Sequence, residues 1–173
     1  MLFRSEWSDA VVVGSGLSNP SKKALKKFSK DCESPVVVDA EAIRPLVSEG
    51  FKAVYTPHKK EKEAIEELYG GIEEFCQSTG SIVVVTGPED IIYTDQGVFR
   101  NETGSSTMTV GGTGDLLAGL IASMIAQGLD PADASRLAVY INGKAGELAN
   151  DEYGNGATAK DIARFIPEAF NSI

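Results

Sequence analysis

Very little in this chain can hold a metal or close a disulfide. Of 173 residues, two are cysteine, Cys32 and Cys76, and one is histidine, His58. Two cysteines cannot build a disulfide scaffold, and without partners at ligand spacing they mark no zinc site, so a reducing cytoplasm is the simplest compartment. Positive charge is also scarce. Lys and Arg number 16 against 25 Asp and Glu, leaving a formal charge of −9 and a pI near 4.6. That balance argues against nucleic acid or an anionic membrane surface as partner. Small anionic ligands are still allowed, because a local cluster of backbone dipoles works on a negatively charged protein. No apolar run approaches the ~20 residues of a bilayer span. Met1 to Ala10 carries Arg4, Glu6 and Asp9, which is wrong for a secretory signal. No Gly-Lys-Ser/Thr triplet occurs, which excludes a phosphate loop of the Walker type. What is present, 42% hydrophobic residues, suffices for one soluble intracellular domain with a real core.

The first half of the chain alternates between strand-like and helix-like patterns. Ala10 to Val13, Pro35 to Asp39, Lys52 to Thr56 and Ser81 to Thr86 read as short β-branched strands. Between them, Pro20 to Asp31 predicts a helix with Asn19 as its cap and Pro20 at its first position. Its lysines, Lys22, Lys23, Lys26, Lys27 and Lys30, read as a solvated face rather than a phosphate site. Glu41 to Glu49 predicts a short helix, and Lys59 to Cys76 a helix broken at Gly70-Gly71. Ile91 to Thr94 and Val98-Phe99 flank Asp95-Gln96-Gly97, a hairpin expected at one edge of the sheet. Strands separated by helices imply a parallel sheet covered on both faces. The last third is helical: Gly112 to Gln127, a helix capped by Asp130-Pro131 running to about Asn150, and Thr158 to Phe170. Gly154-Asn155-Gly156 reads as a tight turn.

Four segments carry candidate chemistry. The strongest is Gly111-Gly112-Thr113-Gly114-Asp115, directly ahead of the apolar run Leu116 to Ile121. Glycines at a helix start let N–H groups converge on an anion, and a first-turn carboxylate could take a proton from a hydroxyl attacking bound phosphate. The plainer reading is a helix start with a favourable acid. Gly14-Ser15-Gly16 follows a strand but lacks the third glycine of a dinucleotide fingerprint; a close backbone approach to a ligand fits it better. Asp39, at the carboxyl end of a strand, is either a crevice carboxylate or a helix cap. His58, in Thr56-Pro57-His58, sits at another strand end and is either functional or simply exposed. Glu61, three residues on, could reach a phosphate-held metal ion or belong to a solvated helix.

Taken together these segments resemble one family. Gly111 to Gly119 is similar to the signature of the ADP/ATP-dependent NAD(P)H-hydrate dehydratases, a branch of the ribokinase-like superfamily. Gly14-Ser15-Gly16-Leu17 resembles its Gly-Pro-Gly-Leu turn, Asp39-Ala40-Glu41-Ala42-Ile43 its Asp-Ala-Asp-Ala-Leu, and Thr56-Pro57-His58 with Glu61 its Thr-Pro-His-x-x-Glu element. Ile141 to Ala149 and Ala157 to Ile162, with Ile166-Pro167, resemble its last two helices. Order and spacing agree from about residue 9 to the end.

The resemblance implies a ribokinase-like three-layer α/β/α sandwich with a mostly parallel sheet, residues 1–173 being a single partial domain. It implies an enzyme that phosphorylates the ring hydroxyl of hydrated NADH or NADPH from ADP or ATP, phosphate then leaving as the ring double bond reforms. Asp115 would be the base, and the N–H groups of Gly112, Thr113 and Gly114 would stabilise the moving phosphoryl group. Gly16 and His58 would line the hydrate site, Thr86, Gly87, Pro88, Glu89 and Asp90 would run along the nucleotide with Gly114, and Glu61 would hold Mg²⁺ through water. The chain departs from the pattern at Ser15 in place of proline, at Thr86-Gly87 in place of Lys-Gly, and at Gly104 to Thr109. Roughly a third of the domain, its N-terminal strands included, has no counterpart here. The expectation is therefore a C-terminal fragment, a reading frame started late, or a protomer completed by another chain or a homo-oligomer. The alternatives are a small-molecule kinase of the same fold and a non-catalytic nucleotide-binding remnant.

Overall fold

Val36, Val37 and Val38 are 3%, 0% and 0% exposed, covered on both sides as a central parallel strand must be. In the computed structural model, which describes residues 7–18 and 20–173, they form the second strand of a six-stranded sheet. The strands are β1 (Val11–Val13), β2 (Val36–Val38), β3 (Val54–Tyr55), β4 (Ile82–Val85), β5 (Asp90–Thr94) and β6 (Gly97–Asn101), side by side in chain order. β1 to β4 are parallel, with Val12 opposite Val37 and Val38 opposite Tyr55. β5 and β6 are antiparallel and form the expected hairpin, with β6 at the sheet edge.

The two faces of the strands sort the helices. Val37, Val54, Val84 and Ile92 share a core with α5 (Thr113–Ala126), α6 (Pro131–Tyr153) and α7 (Ala159–Ala169). Val36, Val38, Tyr55 and Val83 pack against the other layer. That layer comprises α1 (Lys22–Asp31), α2 (Ile43–Ser48), α3 (Glu63–Tyr69) and α4 (Ile72–Thr79). The result is the three-layer α/β/α sandwich that the resemblance implies.

Helix starts follow local chemistry. Asp130 Oδ1 accepts the Ala132 N–H at 2.8 Å, and Thr158 and Asp161 cap α7 reciprocally. α1 begins at Lys22 behind Ser21 rather than at Pro20; the expected cap, Asn19, lies outside the described residues, as do residues 1–6 of the leader reading. All five lysines of α1 are exposed, as expected, and the helix turns Leu25 and Phe28 inward. The helix expected from Glu41 opens as a 3-10 turn over Ala40–Ala42 and becomes α-helical only at Ile43. Ala40 has φ +48°, which an α-helix cannot accommodate. α6 outruns its expected end and reaches Tyr153. β1 is an edge strand: Val12 is 39% exposed, and among the described residues no strand pairs with its outer side. No described helix is long and apolar enough to cross a membrane.

Candidate active site

Open α/β sheets carry ligands at the carboxyl ends of their parallel strands. Here β1 leaves through a tight turn in which Leu17 N donates to Gly14 O at 2.9 Å and Gly16 takes φ +72°. That is the pattern of a type II turn, which needs glycine at its third position. Gly16 is otherwise open, with no atom within 4 Å of where a Cβ would stand. Gly14 is fixed by contact instead: a Cβ there would fall 1.6 Å from the Asp39 carbonyl oxygen.

Asp39 ends β2 and does not cap the turn that follows, since its side chain makes no capping hydrogen bond. It is 8% exposed and reaches sideways to both neighbouring strands. Ser15 Oγ donates to its Oδ2 at 2.8 Å, and Thr56 Oγ1 donates to its Oδ1 at 2.8 Å. A buried carboxylate bonded on both oxygens joins the ends of β1, β2 and β3.

His58 extends β3 by a parallel bridge to Thr86, which continues β4. Its Nδ1 accepts the N–H groups of Lys60 and Glu61, each at 3.2 Å. Two donors aimed at Nδ1 place the ring proton on Nε2. Glu61 Oε2 lies 3.4 Å from the same Nδ1 but is held by the His58 N–H at 3.0 Å. The histidine side chain is 60% exposed, so Nε2–H can donate to a ligand. Among the described residues no three acidic, His or Cys side chains cluster as a metal cage.

The β4–β5 connection holds Thr86 to Asp90. Asp90 Oδ1 accepts the Gly87 N–H at 3.0 Å, and Glu89 pairs with Arg100. Burial pushes the Asp90 carboxyl above its ordinary range, against the bonds from Gly87 and Asn101.

Gly112 caps α5 at φ +98°, a conformation that favours glycine. The N–H groups of Gly112, Thr113 and Gly114 find no main-chain acceptor among the described residues, as expected at a helix start. Sites 111 and 114 have open space where a Cβ would be, whereas a Cβ at Gly112 would stand 3.2 Å from the Ala159 Cβ. Thr113 Oγ1 faces inward instead, donating to Met108 O at 3.0 Å and Val110 O at 3.1 Å. Asp115 is exposed one residue further on, with no hydrogen bond or ion pair to the protein among the described residues. α5 packs across β1 and β2, the strands that end in the Gly14–Gly16 turn and Asp39.

The segment that delivers these amides is held from behind by α6. Gly143 and Gly146 let the chain come so close that added Cβ atoms would stand 2.2 Å from Thr103 Oγ1 and 2.2 Å from Met108 Sδ. Glu147 Oε1 accepts the Gly104 N–H at 3.0 Å, and its Oε2 pairs with Lys144 Nζ at 2.7 Å. Burial pushes the Glu147 carboxyl up, but these bonds outweigh it and hold the group below its ordinary range.

The structure thus gathers Gly16, Asp39, Thr56 and His58 at adjoining strand ends, with Thr86 beside His58. Residues 112–115 stand at the start of α5 on the opposite layer. Sequence reasoning missed the sideways bonds of Asp39, whose partners lie 24 and 17 residues away, and the grip of Glu147 on Gly104, 43 residues apart. No local signal marks either.

A family model described as NAD(P)H-hydrate dehydratase matches residues 2–168. The ADP-dependent (S)-NAD(P)H-hydrate dehydratase of Natrialba magadii is 44% identical over 164 residues, which cover 94% of this chain and 64% of that protein. The chain therefore spans just under two thirds of that relative's length. Among solved structures, a ribokinase-like superfamily protein of Enterococcus faecalis superposes with a TM-score of 0.80 at 24% identity, over 97% of this chain and 64% of that one. The ADP/ATP-dependent NAD(P)H-hydrate dehydratase of Bacillus subtilis, co-crystallized with ATP/Mg²⁺, gives 0.81 at 24% identity, over 95% and 64%. Those superpositions establish the ribokinase-like fold, and the family model, running over nearly the whole chain, supplies the rest: the chain belongs to the NAD(P)H-hydrate dehydratase family.

Proposed function

We propose that this chain carries the catalytic part of a nucleotide-dependent repair enzyme for hydrated NADH and NADPH. The ring hydroxyl of the hydrate attacks the terminal phosphorus of ADP or ATP, and Asp115 takes the hydroxyl proton as the P–O bond to the nucleotide breaks. The C–O bond of the resulting phosphate ester then breaks, phosphate leaving with the bonding electrons while a neighbouring ring proton is lost and the double bond returns. The N–H groups of Gly112, Thr113 and Gly114 take the charge of the moving phosphoryl group. Gly16 and the Nε2–H of His58 face the hydrate, and Thr86 to Asp90 run along the adenine nucleotide.

The observation that carries this reading is the set of amides at residues 112–114 without main-chain acceptors among the described residues, with an exposed, uncommitted carboxylate, Asp115, in the same first turn. The 44%-identical relative, named ADP-dependent, supports ADP as donor. A Mg²⁺ ion held mainly by nucleotide phosphates fits the residues present, because Glu61 has one oxygen that no described residue claims and could reach it through water. Such an ion would neutralise phosphate charge. We also propose that the outer edge of β1, which no described strand pairs with, receives a further strand, from chain preceding residue 1 or from another copy. Two unpaired thiols, Cys32 and Cys76, support a cytoplasmic setting.

Incubation with hydrated NADH and ADP or ATP tests the reading. Recovery of NADH with release of phosphate is the expected result. Phosphorylation of a thiazole or pyrimidine alcohol without NADH recovery would instead make the chain a kinase, and nucleotide binding without turnover of either would make it a non-catalytic remnant.

A further inference from the structure

Asp39 is more than a strand-end acid. Its backbone supports the Gly14 turn, because Gly14 lies against the Asp39 carbonyl so closely that a Cβ would stand 1.6 Å from its oxygen. The next residue, Ala40, is the one non-glycine with positive φ among the described residues, at +48°, and strain of this kind persists only where surrounding contacts impose it. The Asp39 carboxylate accepts a hydroxyl from each side, Ser15 and Thr56, at 2.8 Å each. Thr56 is two residues from His58, and Ser15 adjoins Gly16.

We propose that Asp39 is a positioning residue that sets Gly16 and His58 relative to each other and thereby tunes affinity for the nicotinamide hydrate, without acting on the nucleotide. The proposal rests on the reading above, in which those two residues face the hydrate. Ser15 occupies the second position of the type II pattern, where proline is the favoured residue because its ring presets φ. Ser15 N makes no main-chain bond among the described residues, so proline would cost none there. In this chain a hydrogen bond to Asp39 restrains the turn that a proline ring would otherwise restrain covalently.

Three variants test it: Ser15→Ala, Ser15→Pro and Asp39→Asn. Loss of one bond to a carboxylate predicts a roughly ten-fold rise in KM for hydrated NADH in Ser15→Ala, with KM for ATP within about two-fold of wild type. Ser15→Pro restores the hydrate KM to within about three-fold, since the ring restrains the same turn. An unchanged hydrate KM in Ser15→Ala, or an equal rise in both KM values, overturns the proposal. A second readout needs no turnover. His58 is the sole histidine, so its imidazole Hε1 gives one NMR signal. That signal shifts in Asp39→Asn and stays in place in Lys27→Ala, on the far side of α1. An unmoved His58 signal in Asp39→Asn overturns the positioning role whatever the turnover. A wild type that fails to repair the hydrate would refute the proposed activity and leave the histidine signal to decide this one.

Discussion

Replacing Gly143 by alanine sets helix propensity against packing, and the structure says which wins. In the middle of α6, glycine to alanine normally gains about 1 kcal/mol. Here the new Cβ would stand 2.6 Å from Thr103 O and 2.7 Å from Thr103 C, backbone atoms that cannot swing aside. Relieving the clash moves Thr103 and breaks its 3.2 Å bond from Oγ1 to Tyr140 O, costing about 1 kcal/mol, which cancels the propensity gain. The overpacking itself remains, about 1–3 kcal/mol destabilising. Gly146→Ala is the control. The atoms nearest its Cβ all belong to the Met108 side chain, at 2.2 Å for Sδ and 2.6 Å for Cγ. A flexible thioether can turn away, so the net change there is within about 1 kcal/mol of zero. Urea unfolding at neutral pH, with one shared m-value, measures both. The reasoning fails if Gly143→Ala is as stable as the parent, or if Gly146→Ala is the more damaging of the two.

Two further outcomes follow from burial. The Asp90 carboxyl is held above its ordinary 3.8 by burial, so its ionisation disfavours the folded state: the loss is absent below 3.8, grows as pH rises above it and is complete once pH has passed the raised folded value. Asp90→Asn therefore raises the melting temperature at pH 7 and has little effect near pH 3, and calorimetry at both pH values checks it. Cys76 is fully buried with its thiol pushed up to about 12, first by burial. A disulfide reagent should modify Cys32 in the native protein and reach Cys76 only on addition of denaturant.

What the sequence made legible was local. The hairpin at Asp95-Gln96-Gly97, the Asp130 cap and the Thr158 helix start each follow from residues within four positions of one another, and all three stand in the structure. The alternating pattern also located both layers, because a strand such as Val36–Val38 is apolar on both faces only when both are covered. What stayed hidden depends on chain returning from afar. Asp39 could be a cap or a crevice acid until Ser15 and Thr56 were seen on its two oxygens. Ser15 looks like the loss of a stiffening proline, yet its hydroxyl ties the turn down. Gly143 and Gly146 fall inside the helix expected to run to about Asn150, and it is the close approach of Thr103 and Met108 that uses their missing side chains. The 3-10 opening at Ala40 likewise follows Asp39, whose carbonyl oxygen lies against Gly14, 25 residues away in the chain.

The central claim is that the carboxylate of Asp115 acts on a hydroxyl while the amides of residues 112–114 hold the phosphoryl group. Asp115→Asn keeps the side chain's size and removes the base, and single-turnover repair of hydrated NADH in parallel with nucleotide titration separates the two roles. The account predicts a fall in turnover of about 10²–10⁴-fold with nucleotide affinity within about two-fold of the parent. Turnover within about three-fold of wild type in Asp115→Asn would contradict it.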